Sequence, residues 1–349
     1  MNDQDQKAHE FPQVRAVPTL EDVARHAQVS TATVSRCLNS PDQVVERTRK
    51  RVMDAVQELG YAPNFSARAL AAKRTKTIGA VIPTMDNAIF ARGLQAFQEE
   101  IGKQGYTLLV ASSFYQDDLE EDQIRTLVAR GADALLLIGY RRSDTIRKFL
   151  ETRKVPTVVT WAYDRNEDDL SVGFSNVESM AALARRAIDI GHRRLGMISA
   201  WTDSNDRALG RMHGVLSAAS EAGIDESSVA IVETDYGIET GAQAFQDLMS
   251  RTPRPTVVFC GNDVLAIGAM RAAKTMGMSV PDDVSITGFD GIELASLADP
   301  ALTTVHVPHR EMGRRAALSL INVLNGATDT HGEELKTDIW EGASLGPAP

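Results

Sequence analysis

The chain of 349 residues has only two cysteines, a 5% share of aromatic residues, and no apolar run approaching the 18 residues or so that a membrane helix needs. Cys37 and Cys260 lie far apart in sequence and fall in separate expected modules, which favours small buried apolar residues over a disulfide and fits a reducing compartment. The first 16 residues are polar and lack the apolar core of an export signal, so they read as a disordered tail on a cytoplasmic protein. Enzyme signatures are missing as well. The chain contains no G-x-S-x-G, no P-loop, no G-x-G-x-x-G after an expected strand and no C-x-x-C. His306, His309 and His331 are the nearest approach to a metal set, and they read as unliganded surface histidines. No cofactor is expected.

Positive charge is also scarce overall, with a formal net charge of −10. Taken alone, that argues against binding nucleic acid, but its distribution reverses the inference for one end. Residues 15–76 carry 11 Lys and Arg against 6 Asp and Glu, whereas residues 77–349 carry 25 against 38. A basic module on an acidic body can bind phosphates by releasing counterions while the body stays off the polyanion.

Within the basic module, Thr19 can cap a helix from Leu20, with Asp22 as the returning acid of a capping box. Leu20, Val23, Ala24 and Ala27 then share one face. Ser30 caps a second helix, Thr31 to Leu38, whose Val34 and Leu38 point inward and whose Thr31, Ala32, Ser35 and Arg36 are left for an outer partner. A third amphipathic helix, Glu46 to Leu59, buries Val52, Ala55, Val56 and Leu59, shows Arg47, Arg49, Lys50 and Arg51 outward, and ends at Gly60. A helix-turn-helix lays its second helix in the major groove. There an arginine grips guanine through two hydrogen bonds, and alanine or the threonine methyl meets thymine methyls. The competing reading of these segments is a small Ala/Val/Thr-rich hairpin packed into a larger core.

From Thr77 the pattern becomes apolar strands alternating with helices, which indicates parallel sheets covered on both faces. Strands are expected at 77–82, 106–111, 134–138, 157–161, 194–199, 229–233, 256–260 and 284–288, and helices at 88–104, 120–130, 177–191, 207–222, 238–250 and 264–276. Eight strands could form one wide sheet, a barrel or two doubly wound halves; the polar break from Tyr163 to Asp169 favours two halves. Two lobes leave a cleft at the carboxyl ends of their strands. Asn262-Asp263 and Asp290 follow expected strands, Phe90, Trp161 and Tyr236 lie just after strands or at helix starts, and Arg211 sits four residues after Arg207 on one helix, so that both face the same side. Carboxylate, amide, guanidinium and aromatic faces in one place suit a small polyhydroxylated or acidic molecule.

Thr19-Leu20-Glu21-Asp22-Val23-Ala24, Val29-Ser30 through Arg36, Leu38-Asn39, Glu58-Leu59-Gly60-Tyr61 and Pro63-Asn64, continuing through Leu70 to Gly79, resemble the headpiece of the lac repressor and galactose repressor family of bacterial transcription regulators. The resemblance implies an all-α helix-turn-helix headpiece followed by a two-lobed, periplasmic-binding-protein-like α/β core of two doubly wound parallel sheets. It divides the chain into a tail (1–16), a headpiece (17–62), a hinge (63–76) and a core (77–349). The first lobe takes 77–174 and 308–326, and the second 175–305 and 327–349.

The resemblance further implies DNA contacts from Thr19, Ser30, Thr31, Ala32, Thr33, Ser35, Arg36 and Asn39. From the hinge helix, Asn64, Ala67 and Leu70 join them, with Leu70 as a minor-groove wedge. In the family's effector pocket, Arg211 with Gly214, Asn262-Asp263 and Asp290 match recurrent motifs, and Phe90 matches a ring-stacking position of the purine-responsive member. Trp161 stands where the lac repressor has an aspartate, Ser175-Asn176 where many members have Asp-Asn, and Thr31-Ala32 where the lac repressor has tyrosine and glutamine. Effector and operator should therefore differ from those of the lac repressor. The expected protein is a homodimeric repressor of a pseudo-palindromic operator. Its effector would be a sugar, a sugar acid or a related polar metabolite such as a nucleoside, with a lean to sugar acids because Trp161 replaces an acid. An exported solute-binding protein shares the two-lobed body but needs an export signal and no headpiece; an enzyme is the third reading.

Overall fold

The computed structural model describes residues 17–62, 74–328 and 331–349. Asn64, Ala67 and Leu70, and with them the expected hinge helix, lie outside the described residues. The chain separates into a unit ending at Thr75 and a larger unit beginning at Lys76.

The first unit is built from α1 (Leu20–His26), α2 (Thr31–Asn39) and α3 (Glu46–Leu59), with a single 3₁₀ turn at Pro41–Gln43. Thr19 and Asp22 form a reciprocal capping box, and the Ser30 hydroxyl accepts from the Thr33 amide. Gly60 closes α3 in the left-handed conformation (φ 63°), which its lack of a side chain makes cheap. Val23, Ala27, Val34, Cys37, Val52 and Ala55 are buried together. Cys37 is buried in this core between Val34 and Leu38, as expected of a small apolar residue.

The second unit holds two six-stranded sheets. The first runs β11 (Glu333–Glu334), β5 (Ser171–Gly173), β4 (Thr157–Thr160), β3 (Ala134–Ile138), β1 (Thr77–Ile82), β2 (Thr107–Ser112). The second runs β12 (Asp338–Trp340), β10 (Thr303–His306), β9 (Ser285–Asp290), β8 (Val257–Cys260), β6 (Leu195–Ala200), β7 (Ala230–Thr234). Every pairing is parallel except β10 with β12.

Helices α4 (Ala88–Lys103), α5 (Asp117–Ala129), α6 (Asp144–Arg153) and α12 (His309–Leu324) belong with the first sheet. Helices α7 (Asn176–Asp189), α8 (Asp206–Glu221), α9 (Ile238–Met249) and α10 (Asp263–Thr275), with the short α11 (Glu293–Leu297), belong with the second. β1, β3, β6, β8 and β9 are buried along their whole length, and β3 and β8 are wholly apolar or Cys, as suits parallel strands covered on both faces, whereas β9 also buries Ser285, Thr287 and Asp290. Helices α4 and α12 approach so closely that a Cβ on Gly313 would run into the Gly93 carbonyl.

The lobe boundary expected at residue 327 is corrected by β11, which pairs in parallel with β5 of the first sheet before the chain returns to the second. Two residues of backbone pairing carry no hydrophobic periodicity that a sequence reading could detect. The histidines also depart from expectation. His309 is 4% exposed, and His306 stacks on Trp340 with ring centroids 3.8 Å apart.

Candidate functional site

The outer face of α2 displays what the sequence assigned to it. Thr31, Ala32, Arg36 and Asn39 are exposed, whereas Thr33 and Ser35 are partly covered. The Ser30 and Thr33 hydroxyls lie 2.9 Å apart, and Asn39 donates to the Ser35 hydroxyl at 3.2 Å, so these side chains brace the helix as well as facing outward. Arg36 forms no ion pair among the described residues, leaving its guanidinium fork available. The cationic run on α3 is exposed throughout.

In the larger unit the carboxyl ends of both sheets meet at a cleft. Its outer part is a cavity of about 580 Å³ lined by the loops after β1, β2, β6 and β7 and by Val264. Below it lies a void of about 20 Å³, room for little more than a water, walled by Phe90, Trp161, Asn176, Arg211, Tyr236 and Asp290 among others. Of the six sequence-nominated effector residues, five therefore come together. Asn262 does not: its side chain accepts from the Leu265 amide and caps α10. A buried Asn preceding a helix satisfies the capping pattern, and the sequence could not separate that role from ligand contact.

Each of the five is held by local structure. Phe90 sits in the first turn of α4, which Asn87 caps, and its ring lies 5.2 Å from that of Trp161. Trp161 follows β4 with φ 59°, and the indole occupies space that a side chain at Gly93 would fill. Arg211 lies one helical turn beyond Arg207 on the buried face of α8, stacks over Phe289 at 4.8 Å and donates to the Tyr236 hydroxyl at 2.9 Å. Asp290 ends β9 with φ 100°. Phe114 (φ 51°) and Tyr115 (φ 59°) complete a set of four non-glycine residues in the left-handed region around one cleft, the kind of local strain that persists where a site aims its side chains.

The inner pocket is polar without being satisfied. Trp161 Nε1, Arg211 Nε, Asn176 Oδ1 and Asp290 Oδ1 are all buried without a hydrogen-bond partner. Buried groups of this kind cost about 1–3 kcal/mol each when unmet. Burial pushes the Asp290 carboxyl up to about 8 against the pull of the Arg211 cation. Burial likewise pushes His309 down to about 3; its ring stacks on Trp161 and faces the Asp290 carbonyl at 3.2 Å. Tyr115 and Asn205 were not nominated from sequence, yet the Tyr115 ring packs 5.9 Å from that of Tyr236 and Asn205 donates to the Tyr236 hydroxyl at 3.4 Å.

A second polar cluster joins the lobes. Asp206, at the start of α8, accepts from the backbone amides of Tyr140 (2.6 Å) and Arg141 (3.3 Å) just beyond β3, and pairs with Arg207 at 2.7 Å. Arg207 also reaches the Ile138 carbonyl at 3.3 Å. Gly139 (φ 70°) leaves the room, since a Cβ there would collide with both Asp206 and Arg207. Burial alone would raise the Asp206 carboxyl, but Arg207, the two amides and Arg142 outweigh it and hold the group below its ordinary value.

Two family models match the chain: Bacterial regulatory proteins, lacI family, over residues 19–64, and Periplasmic binding protein-like domain over 184–345. The HTH-type transcriptional repressor PurR of Klebsiella pneumoniae (strain 342) is 33% identical over 334 residues, covering 95% of this chain and 98% of its own. The chain belongs to the lacI family of bacterial regulatory proteins. Among solved structures, a lacI-family transcriptional regulator from Silicibacter pomeroyi aligns with TM-score 0.86 at 26% identity, over 94% of this chain and 99% of its own. The lac repressor dimer bound to operator and the anti-inducer ONPF aligns with TM-score 0.85 at 25% identity, over 95% and 99%. As a lacI-family member the chain is a DNA-binding transcriptional regulator and not an enzyme. Among the described residues no helix is long and apolar enough to cross a membrane.

Proposed function

We propose that this lacI-family regulator is a homodimeric repressor whose grip on a pseudo-palindromic operator is set by a small polar molecule in the interlobe cleft. The carrying observation is the inner pocket, where two donors (Trp161 Nε1, Arg211 Nε) and two acceptors (Asn176 Oδ1, Asp290 Oδ1) are buried without partners. An effector with hydroxyl or ring-nitrogen groups would meet all four, and its binding would favour one lobe arrangement over the other. Phe90 and Trp161 would pack on its apolar face, and Arg211, Tyr236 and Asp290 would fix its orientation.

In the headpiece, Arg36 would take a guanine edge and Thr31 and Ala32 thymine methyls, while Thr19, Ser30, Thr33, Ser35 and Asn39 position the helix on the backbone. Asn64, Ala67 and Leu70 would act in the minor groove. Two apolar patches support self-association: Leu109 and Val110 on the edge strand β2 are 38% and 39% exposed, and Leu294 and Leu297 on α11 are 45% and 78% exposed. Whether effector releases or recruits the protein follows from which lobe arrangement suits DNA, and coupling must be reciprocal.

The test is operator-binding anisotropy with and without effector for wild type and Arg211→Ala. Loss of the effector response with operator affinity kept is expected. A normal response in Arg211→Ala would remove that residue from the pocket.

A further inference from the structure

The outer cavity differs in character from the inner pocket. Its lining residues include two carboxylates, Asp86 and Asp235, and no lysine or arginine. Two large aromatic side chains stand exposed on its walls, Phe114 at 61% and Trp201 at 53%. Trp201 is pre-placed rather than loose. Trp201 Nε1 donates to Asp235 Oδ1 at 2.9 Å, which pins the indole, and the adjoining Thr202 is held by two bonds to Glu233 (2.9 and 2.6 Å). Phe114 is carried on the turn whose two residues both have positive φ. Leaving two large aromatic faces in water beside carboxylate and hydroxyl acceptors is costly without a guest that covers them.

The inner void of about 20 Å³ is too small for a ring in the present arrangement, whereas the outer cavity of about 580 Å³ lies inside the usual range of about 300–1,000 Å³ for small-molecule sites. The Tyr115 and Tyr236 rings stand between the two, lining both.

We propose that Phe114 and Trp201 form an outer subsite selecting an effector that is uncharged and at least two sugar rings long, a neutral disaccharide or larger glycoside. This rests on the reading of the cleft as an effector site. The aromatic faces cover the apolar C–H faces of one sugar ring, while Asp86, Asp235, Ser204 and Thr234 accept from its hydroxyls. The second ring lies against the tyrosine pair and meets the unpartnered groups below once the lobes shift to widen the inner void. Two carboxylates without a cation disfavour an anionic ring in the outer subsite, so on this proposal the ring held there is uncharged, against the lean toward sugar acids drawn from Trp161 alone.

Isothermal titration of the full-length protein against glucose, galactose, cellobiose, maltose, lactose, melibiose, sucrose, gluconate, galacturonate, adenosine and guanosine tests this. At least one disaccharide is expected to bind tighter than its component monosaccharide by roughly tenfold or more. Phe114→Ala and Trp201→Ala should each remove roughly tenfold of that affinity, and Trp201→Phe, which keeps the ring, should restore most of it; thermal unfolding identifies any variant that fails to fold. Binding confined to a sugar acid or a nucleoside, binding of monosaccharides alone, no saccharide binding, or full disaccharide affinity in both alanine variants would overturn the proposal. Operator anisotropy with the bound compound separates the two readings. A disaccharide that binds without changing operator affinity leaves the subsite and removes the effector role, whereas gluconate that binds and changes operator affinity does the reverse.

Discussion

Replacing Asp206 by alanine should open the two lobes. The carboxylate takes two backbone amides from the opposite lobe, at 2.6 and 3.3 Å, and holds Arg207 against the Ile138 carbonyl. Hydrogen bonds to a charged group contribute about 1.5–3 kcal/mol. One short and one long bond, with Arg207 losing its carboxylate, place the loss at about 2–4 kcal/mol in the closed arrangement. Water satisfies the same amides once the lobes part, so the loss falls on the closed form alone. At about 1.4 kcal/mol per decade, even the lower figure shifts the closed-to-open ratio by roughly 30-fold. Small-angle scattering of the effector-free protein should show a larger radius of gyration for Asp206→Ala, and a smaller change for Asp206→Asn, which keeps the shape and loses the charge. Scattering curves and unfolding midpoints that match wild type would refute the claim that this contact clasps the lobes.

Arg36→Ala should weaken binding to the preferred operator by about 1–3 kcal/mol and relax the base preference at one position, as read by competition with single-base variants; equal losses on random DNA would place Arg36 on the phosphates instead. Asp290→Asn should stabilise the effector-free protein increasingly as pH rises. The folded carboxyl titrates near 8 against an ordinary value of 3.8, so wild type loses stability as pH rises between those values while the asparagine variant does not lose it at this site. Unfolding midpoints compared at pH 6, 7, 8 and 9 should diverge up to about pH 8 and then run parallel, and a constant difference would show that Asp290 is ionised throughout. His309, depressed to about 3 by burial, contributes in both variants and only below its ordinary value of 6.5, where its stabilisation is lost as pH falls.

Much of the headpiece was legible because its signals are local. The Thr19/Asp22 box, the Ser30 cap and the Gly60 stop lie within a few residues of what they terminate, and the apolar positions repeat at helical spacing. The long apolar strands of the core were legible for the same reason. β5, β11 and β12 were not, because strands of two or three residues carry no periodicity and exist through pairing with distant chain, and β10 (Thr-Thr-Val-His) lacks the apolar run that made the equally short β4 and β8 readable.

The cleft divides along the same line. Phe90, Trp161, Tyr236 and Asp290 follow strands or open helices, so the rule that ligands sit at strand carboxyl ends reached them, and Arg211 was reached through its helical spacing from Arg207. Tyr115 and Asn205 follow or precede elements in the same way, but nothing in their own neighbourhood sets them apart from turn residues. Asn262 satisfied the same rule and turned out to cap its helix. The Asp206 contact with Tyr140 and Arg141 spans 66 and 65 residues, and only the folded chain brings those groups together.

The central claim, an operator-binding headpiece governed from the interlobe cleft, is tested most directly by fluorescence anisotropy. Full-length protein would be titrated onto DNA from upstream of its own gene and onto a scrambled fragment, at two salt concentrations, with and without the compound that binds the cleft. The expected result is tight, salt-sensitive preference for the genuine fragment, shifted roughly 5- to 150-fold by the compound. Equal affinity for both fragments, with or without the compound, would contradict it.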